Sequence, residues 1–288
     1  MNNNKITVTF LGTSATPSTP ILFCHCEFCT SARTIGGKNL RKKTSLMIND
    51  DLLIDLGPDV PISILGLNLN LNNLKTCLQT HAHADHFDSE LLISRHPKYG
   101  SVVINNLIFA GSKGTLSVID CKVAKYGYGS IFDKKLQKIL KIKIQEIKPF
   151  ESYLINGYQI IGYPANHDIN NEALIYLIKK NDISIFYGTD TSIFLDSVWH
   201  SIIERKKTFD IVILDHTYGI GFDSTDHLAT SDFINLIRRL KDENIVTMNS
   251  HVYATHISHE GMKEHDEFNK FALENGYELA YDGLIVII

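Results

Sequence analysis

Residues 81–86 read His-Ala-His-Ala-Asp-His, and no other stretch restricts the fold of this chain as tightly. Three imidazoles and one carboxylate fall within six residues, spaced by alanines too small to compete for room. Neutral imidazole nitrogens and a carboxylate oxygen suit Zn²⁺, Mn²⁺ or iron, with geometry choosing among them. The apolar run Lys75–Thr80 before it reads as a strand, and Phe87–Ser94 after it has a helical pattern. The histidines therefore sit where a strand ends, which is where open α/β sheets place their ligands. A polar turn with coincidental histidines is the bland alternative, and the density and spacing argue against it.

Composition narrows the rest. The 288 residues are 44% hydrophobic and 21% charged, an ordinary globular balance. Lys and Arg total 28 against 32 Asp and Glu, and a net charge of −4 argues against broad electrostatic capture of nucleic acid. The longest apolar runs, such as Leu284–Ile288, are far too short to span a membrane. Met1-Asn-Asn-Asn-Lys5 leads straight into a strand-like segment without a cleavable signal, so a cytoplasmic location is expected. Three of the five cysteines crowd into Cys24–Cys29, which suits metal binding in a reducing compartment better than a disulfide framework.

Strands are predicted at Ile6–Leu11, Ser45–Asn49, Asp51–Asp55, Lys75–Thr80, Tyr158–Gly162, Leu174–Lys179, Ser184–Tyr187, Phe209–Leu214, Ile245–Met248 and Leu284–Ile288. Helices are predicted at Asp59–Leu67, Phe87–Ser94, Phe132–Leu140, Thr230–Lys241 and Glu260–Asn275. Residues 13–43 read as an irregular excursion that needs something to hold it together. No repeat or linker divides the chain, so one α/β domain over residues 1–288 is the economical reading.

With the His-x-His-x-Asp-His run after a strand, the chain resembles the metallo-β-lactamase superfamily, and the resemblance extends from Lys5 to the C-terminus. Asp55 in Leu-Ile-Asp-Leu-Gly57 resembles the first landmark, a carboxylate that props the histidine loop. His167 in Pro164-Ala-Asn-His-Asp168, Asp190 in Tyr187-Gly-Thr-Asp-Thr191 and His256 in Ala254-Thr-His-Ile-Ser-His259 resemble the later ones. The resemblance implies a four-layer αβ/βα sandwich with two divalent ions, Zn²⁺ or Mn²⁺, at one edge. One ion would take His81, His83 and His167, the other Asp85, His86 and His256, and Asp190 would be shared. Such a pair clamps a phosphodiester and holds a hydroxide for in-line attack. Taken singly, His167 and His256 would more often be surface residues, Asp190 a helix cap and Asp55 a turn residue; their order and strand-end settings favour the ligand reading.

The cysteines sharpen the resemblance. Cys24, Cys26 and Cys29 with one imidazole would make a closed structural Zn²⁺ site pinning the excursion. Cys-x-Cys-x-x-Cys upstream of the histidine run resembles the PhnP-like subgroup of phosphoribosyl cyclic phosphodiesterases, which implies His259 as the fourth ligand. His25 is an alternative fourth ligand, in a cramped chelate. Cys77 reads as a buried, inert strand residue.

Phosphodiester cleavage also needs a proton for the leaving oxygen. His227 in Asp226-His-Leu228 and His216 in Asp215-His-Thr-Tyr218 both lie beside a carboxylate. The resemblance favours His227 as general acid or phosphate contact, acting with Asp85; His200, His251 and His265 read as surface histidines. The function expected is a metal-dependent phosphodiesterase for a small cyclic phosphate or nucleotide, and by analogy a homodimer. The alternatives are a tRNA 3′-end endonuclease, with Lys134–Lys148 as its one candidate RNA grip, and a relative in pyrroloquinoline quinone biosynthesis.

Overall fold

Segments such as Ile183–Gly188 and Ile211–Asp215 are apolar at nearly every position, a pattern that suits strands buried on both faces. The computed structural model, which describes residues 5–288, bears this out. One seven-stranded sheet holds β1 (Thr7–Gly12), β2 (Ser45–Ile48), β3 (Leu52–Ile54), β4 (Thr76–Leu78), β5 (Leu107–Gly111) and β6 (Ile142–Glu146). The second sheet holds β7 (Ser152–Ile155), β8 (Tyr158–Pro164), β9 (Leu174–Lys180), β10 (Ile183–Gly188), β11 (Ile211–Asp215), β12 (His251–Thr255) and β13 (Glu278–Leu279). The last strand, β14 (Ile285–Ile287), returns to the first sheet and pairs antiparallel with β1. Both sheets are mixed: β3 to β6 and β10 to β13 run parallel, and the remaining pairs antiparallel.

Side-chain alternation divides the core into three slabs. Leu46, Ile48, Leu52, Ile54 and Leu78 of the first sheet meet Ile160, Tyr176, Ile178, Tyr187 and Ile213 of the second. Outward-facing Met47, Leu53, Cys77 and Phe109 lie under the helices α2 (Val60–Gly66), α3 (Ser89–Ile93), α4 (Lys113–Ala124) and α5 (Lys134–Leu140). Outward-facing Phe186, Val212 and Leu214 lie under α1 (Glu27–Ile35), α6 (Asp196–Glu204), α7 (Thr230–Asp242) and α8 (His265–Glu274). The result is the expected four-layer αβ/βα sandwich. No helix among the described residues is long and apolar enough to cross a membrane.

Several expectations need correction. Residues 13–43 are not irregular throughout: Cys26 caps a nine-residue helix, α1, which buries Phe28, Cys29 and Ala32. The strand expected at Ile245–Met248 is absent. Ile245 and Val246 instead turn back onto the end of α7, their amides bonding to the Leu240 carbonyl at 2.9 and 3.1 Å, and the strand forms at His251–Thr255. β5, β7, β13, α4 and α6 lie outside the elements predicted from sequence.

Candidate metal centre

The parallel strands of both sheets end on the same edge, and the loops leaving them bring the site together. Asp55 follows β3, His81–His86 follow β4, His167 follows β8, Asp190 follows β10 and His256 follows β12. Asp55, Asp190 and His256 turn the chain with φ of +66°, +53° and +61°, backbone that non-glycine residues seldom adopt and that gathers at functional sites. Gly57 is required where the β3 loop passes the histidine loop, because a Cβ there would lie 2.4 Å from the Asp85 carbonyl oxygen.

Every one of the five histidines has one ring nitrogen engaged by an outer partner. His86 donates from Nδ1 to Asp55 at 2.7 Å, and His81 from Nδ1 to the Thr80 hydroxyl at 3.1 Å. His83 donates from Nε2 to Asp168 at 3.0 Å, and His167 from Nδ1 to the Asp226 carbonyl at 3.1 Å. His256 donates from Nδ1 to the Thr217 hydroxyl at 2.8 Å. Two carboxylates anchor this outer ring in matching fashion. Asp55 accepts from His86 and Thr80, and Asp215, at the end of β11, accepts from His227 at 2.9 Å and Thr217 at 3.0 Å. Such outer bonds fix tautomer and ring orientation, leaving the other nitrogen as a lone-pair donor.

The inner atoms converge in two sets around Asp190. His81 Nε2, His83 Nδ1 and His167 Nε2 face one another, with 2.9 Å and 3.4 Å between neighbours, and lie 3.8–3.9 Å from Asp190 Oδ1 in the case of His167 and His81. Asp190 Oδ2 lies 3.0 Å from His86 Nε2 and 3.3 Å from His256 Nε2, and Asp85 Oδ2 closes that set at 3.3 and 3.7 Å. His86 Nε2, His256 Nε2 and Asp190 Oδ2 are buried without any hydrogen bond. Buried polar atoms are rarely left so, and three aimed at one another fit a divalent cation. The structure thus brings together His81, His83 and His167 on one side and Asp85, His86 and His256 on the other, with one carboxylate oxygen of Asp190 turned to each.

Beside the cluster, His227 packs against His167 and His256, with ring centroids 4.8 and 5.2 Å apart. Its partner is Asp215, twelve residues away, and not the adjacent Asp226, whose carboxylate takes the Ser224 hydroxyl. Burial alone would lower the His227 imidazole, but the Asp215 carboxylate outweighs it and raises it to about 9.

His216 is excluded from the site. It is fully buried among Phe233, Phe268 and Tyr277, and burial pushes it down to about 4. A histidine whose folded value lies below its unfolded one costs nothing above pH 6.5 and destabilises the fold progressively as pH falls toward 4. His216→Phe is therefore expected to gain about 2 kcal/mol relative to wild type on going from pH 7 to pH 5, read by denaturant unfolding at both values; equal shifts at both would contradict this. His265 is not a surface residue as expected; it is buried and its Nδ1 lies 2.9 Å from the Arg41 guanidinium.

The cysteines form a second cluster. Cys24, Cys26 and Cys29 Sγ stand 3.5, 3.4 and 3.6 Å from His259 Nδ1. A tetrahedral Zn²⁺ with its usual bond lengths separates sulfur from nitrogen by about 3.6 Å, so the three sulfur–nitrogen distances already match those of such a site. His25 is exposed and outside the cluster. Backbone amides donate to two of the sulfurs, Cys26 N to Cys24 and Cys29 N to Cys26, each at 3.4 Å. The bond from Cys26 lowers the Cys24 thiol to about 7, ready to ligate as thiolate. Cys77, by contrast, is fully buried in β4, and burial raises its thiol well above the ordinary value.

Residues 51–257 match the family description "Beta-lactamase superfamily domain", which covers well over half of the chain. The chain belongs to the beta-lactamase superfamily. No curated protein matches it in sequence. Among solved structures, a diphosphatase of the PhnP family is 24% identical with a TM-score of 0.71, over 99% of this chain and 97% of that one. Zn²⁺-bound PqqB from Methylobacterium extorquens is 15% identical with a TM-score of 0.69, over 97% and 99%. The short form of human tRNase Z is 15% identical with a TM-score of 0.64, over 97% and 98%. At these identities the likeness shows the fold.

The inner donors are legible in the sequence of this superfamily member, whereas most of the outer partners, Thr80, Asp168, Asp215 and Thr217, carry no motif of their own. Asp168 directly follows His167, and Asp215 ends a strand beside Asp190, whose amide donates to it at 2.9 Å. Those strand-end carboxylates were the available signal.

Proposed function

We propose that this chain is a metal-dependent hydrolase that cleaves a phosphodiester bond in a small molecule, a cyclic phosphate or a nucleotide. The observation that carries the reading is Asp190, with one oxygen turned to each of two complete donor sets. Divalent ions bound there, Zn²⁺ or Mn²⁺, supply Lewis acidity at the phosphoryl oxygens and an activated water. His81, His83 and His167 would hold one and Asp85, His86 and His256 the other, while the outer ring keeps each imidazole in its ligating tautomer. A further Zn²⁺ on Cys24, Cys26, Cys29 and His259 would be structural.

His227 supplies the proton. Asp215 holds its Nδ1, which leaves Nε2 as the proton-bearing atom available to a leaving oxygen, and the raised imidazole keeps that proton at neutral pH. The cleft has a volume of only about 150 Å³, in keeping with a small substrate. The Lys-rich segment packs Leu136, Leu140 and Ile142 into the body of the fold as α5 and β6 and leaves its lysines exposed, which supports a solvated face over a protruding RNA-gripping arm.

Purified protein loaded with Mn²⁺ or Zn²⁺ is expected to hydrolyse bis-p-nitrophenyl phosphate and cyclic phosphates. His227→Ala should lower kcat on an alkyl phosphodiester by about 10²–10⁴. It should matter much less for bis-p-nitrophenyl phosphate, whose phenolate leaves without a proton. Metal-loaded protein inactive on every phosphodiester would refute the reading, and equal losses on both substrates would refute the role of His227.

A further inference from the structure

Glu260 lies on the wall of the cleft that also contains His83, Asp85, His227 and His256, four residues past His256 and one past His259. Its carboxylate is held in place from two sides. One oxygen lies 3.3 Å from His259 Nε2, and the other accepts from the Ser258 hydroxyl. The backbone is pinned too: the Gly219 amide donates to the Glu260 carbonyl at 2.8 Å, and Gly219 approaches Gly261 so closely that a Cβ would fall 2.0 Å from its oxygen. A glutamate free to swing into solvent would do little; this one is fixed at the site.

The cations are equally telling. Among the described residues no lysine or arginine lines the cleft. Lys122 approaches the histidine loop from outside, where its ammonium donates to the Ala82 carbonyl. Sites that handle multiply charged phosphates surround them with Arg and Lys clamps. Here the cleft wall carries a fixed carboxylate and no such clamp among the described residues.

We infer that Glu260 is a specificity-determining residue, a charge filter that admits singly charged phosphodiesters and disfavours substrates with a second negative charge, whether monoesters or diphosphates. The inference rests on the proposed phosphodiesterase reading and adds the substrate's charge to it. A like charge on the wall of the same partly solvated cleft is worth about tenfold in discrimination once screening is allowed for. The side chain is 38% exposed, which keeps the effect at that size.

Bis-p-nitrophenyl phosphate and p-nitrophenyl phosphate share a chromophore and a leaving group and differ by one charge at pH 8. The metal-loaded wild type is expected to favour the diester. Glu260→Gln, which keeps the shape and the acceptor oxygen facing His259, should narrow that preference about tenfold by raising kcat/KM on the monoester, with the diester within about threefold of wild type. Glu260→Ala should narrow it in the same direction. A ratio that stays within twofold of wild type in both variants would overturn the inference. So would equal losses on both substrates accompanied by loss of zinc, which would reduce Glu260 to support for His259. Calorimetric binding of diphenyl phosphate and phenyl phosphate to the same proteins measures the same ratio without turnover. A wild type that binds selectively without hydrolysing would thus sink the proposed function alone.

Discussion

Asp190→Ala is expected to lower kcat/KM on a phosphodiester by about a thousandfold or more, with the fold intact. Asp190 faces both donor sets, its oxygens 3.0–3.9 Å from four imidazole nitrogens. Its removal takes one ligand from each set and the single negative charge that both would share. Backbone and surroundings localise the damage. The residue sits at φ +53° with its amide bonded to Asp215, and alanine can keep both at a cost of about 1–2 kcal/mol. Circular dichroism should therefore change little while activity collapses. Activity within tenfold of wild type would mean that Asp190 does not join two metal sites.

The largest stability effect belongs to the other cluster. Cys26→Ser is expected to destabilise the protein by about 4 kcal/mol, lowering the Tm on the order of 10 °C. Cys26 closes the Cys₃His set, and its sulfur also accepts from the Cys29 amide as the cap of α1. The helix it starts packs Phe28 and Cys29 against the second sheet, so an unpinned segment exposes part of that slab. Limited proteolysis should then cut within residues 18–36, where wild type resists. The effect on activity should be far smaller than that of Asp190→Ala, since none of these cysteines faces the catalytic cleft. A Tm unchanged by the substitution would deny the cluster a structural role.

What could be read from the chain alone followed from periodicity and from spacing. His81–His86 carry their own argument, and the apolar runs of β10 and β11 announce strands buried on both sides. Ile245 and Val246 misled because two buried β-branched residues look alike whether they continue a strand or fold back on a helix end. The strand His251-Val-Tyr-Ala-Thr255 hid behind its polar ends. α4 is hard to read because Gly114 and Thr115, both poor helix formers, stand in its first turn. The pairing of Asp215 with His227 was illegible for a different reason: it joins a strand end to a loop twelve residues on, and only the fold makes them neighbours. The tie between Cys24–Cys29 and His259 spans more than 200 residues, and it entered through the family resemblance.

Counting bound metal by mass spectrometry under native conditions, on wild type and on the two variants above, bears most directly on the central claim. Two centres of different chemistry predict three divalent ions per chain in wild type, loss of the zinc alone in Cys26→Ser, and loss of the other two together in Asp190→Ala. A wild type that takes up one ion or none outside the cysteine site, or an Asp190→Ala protein that keeps both, would contradict it.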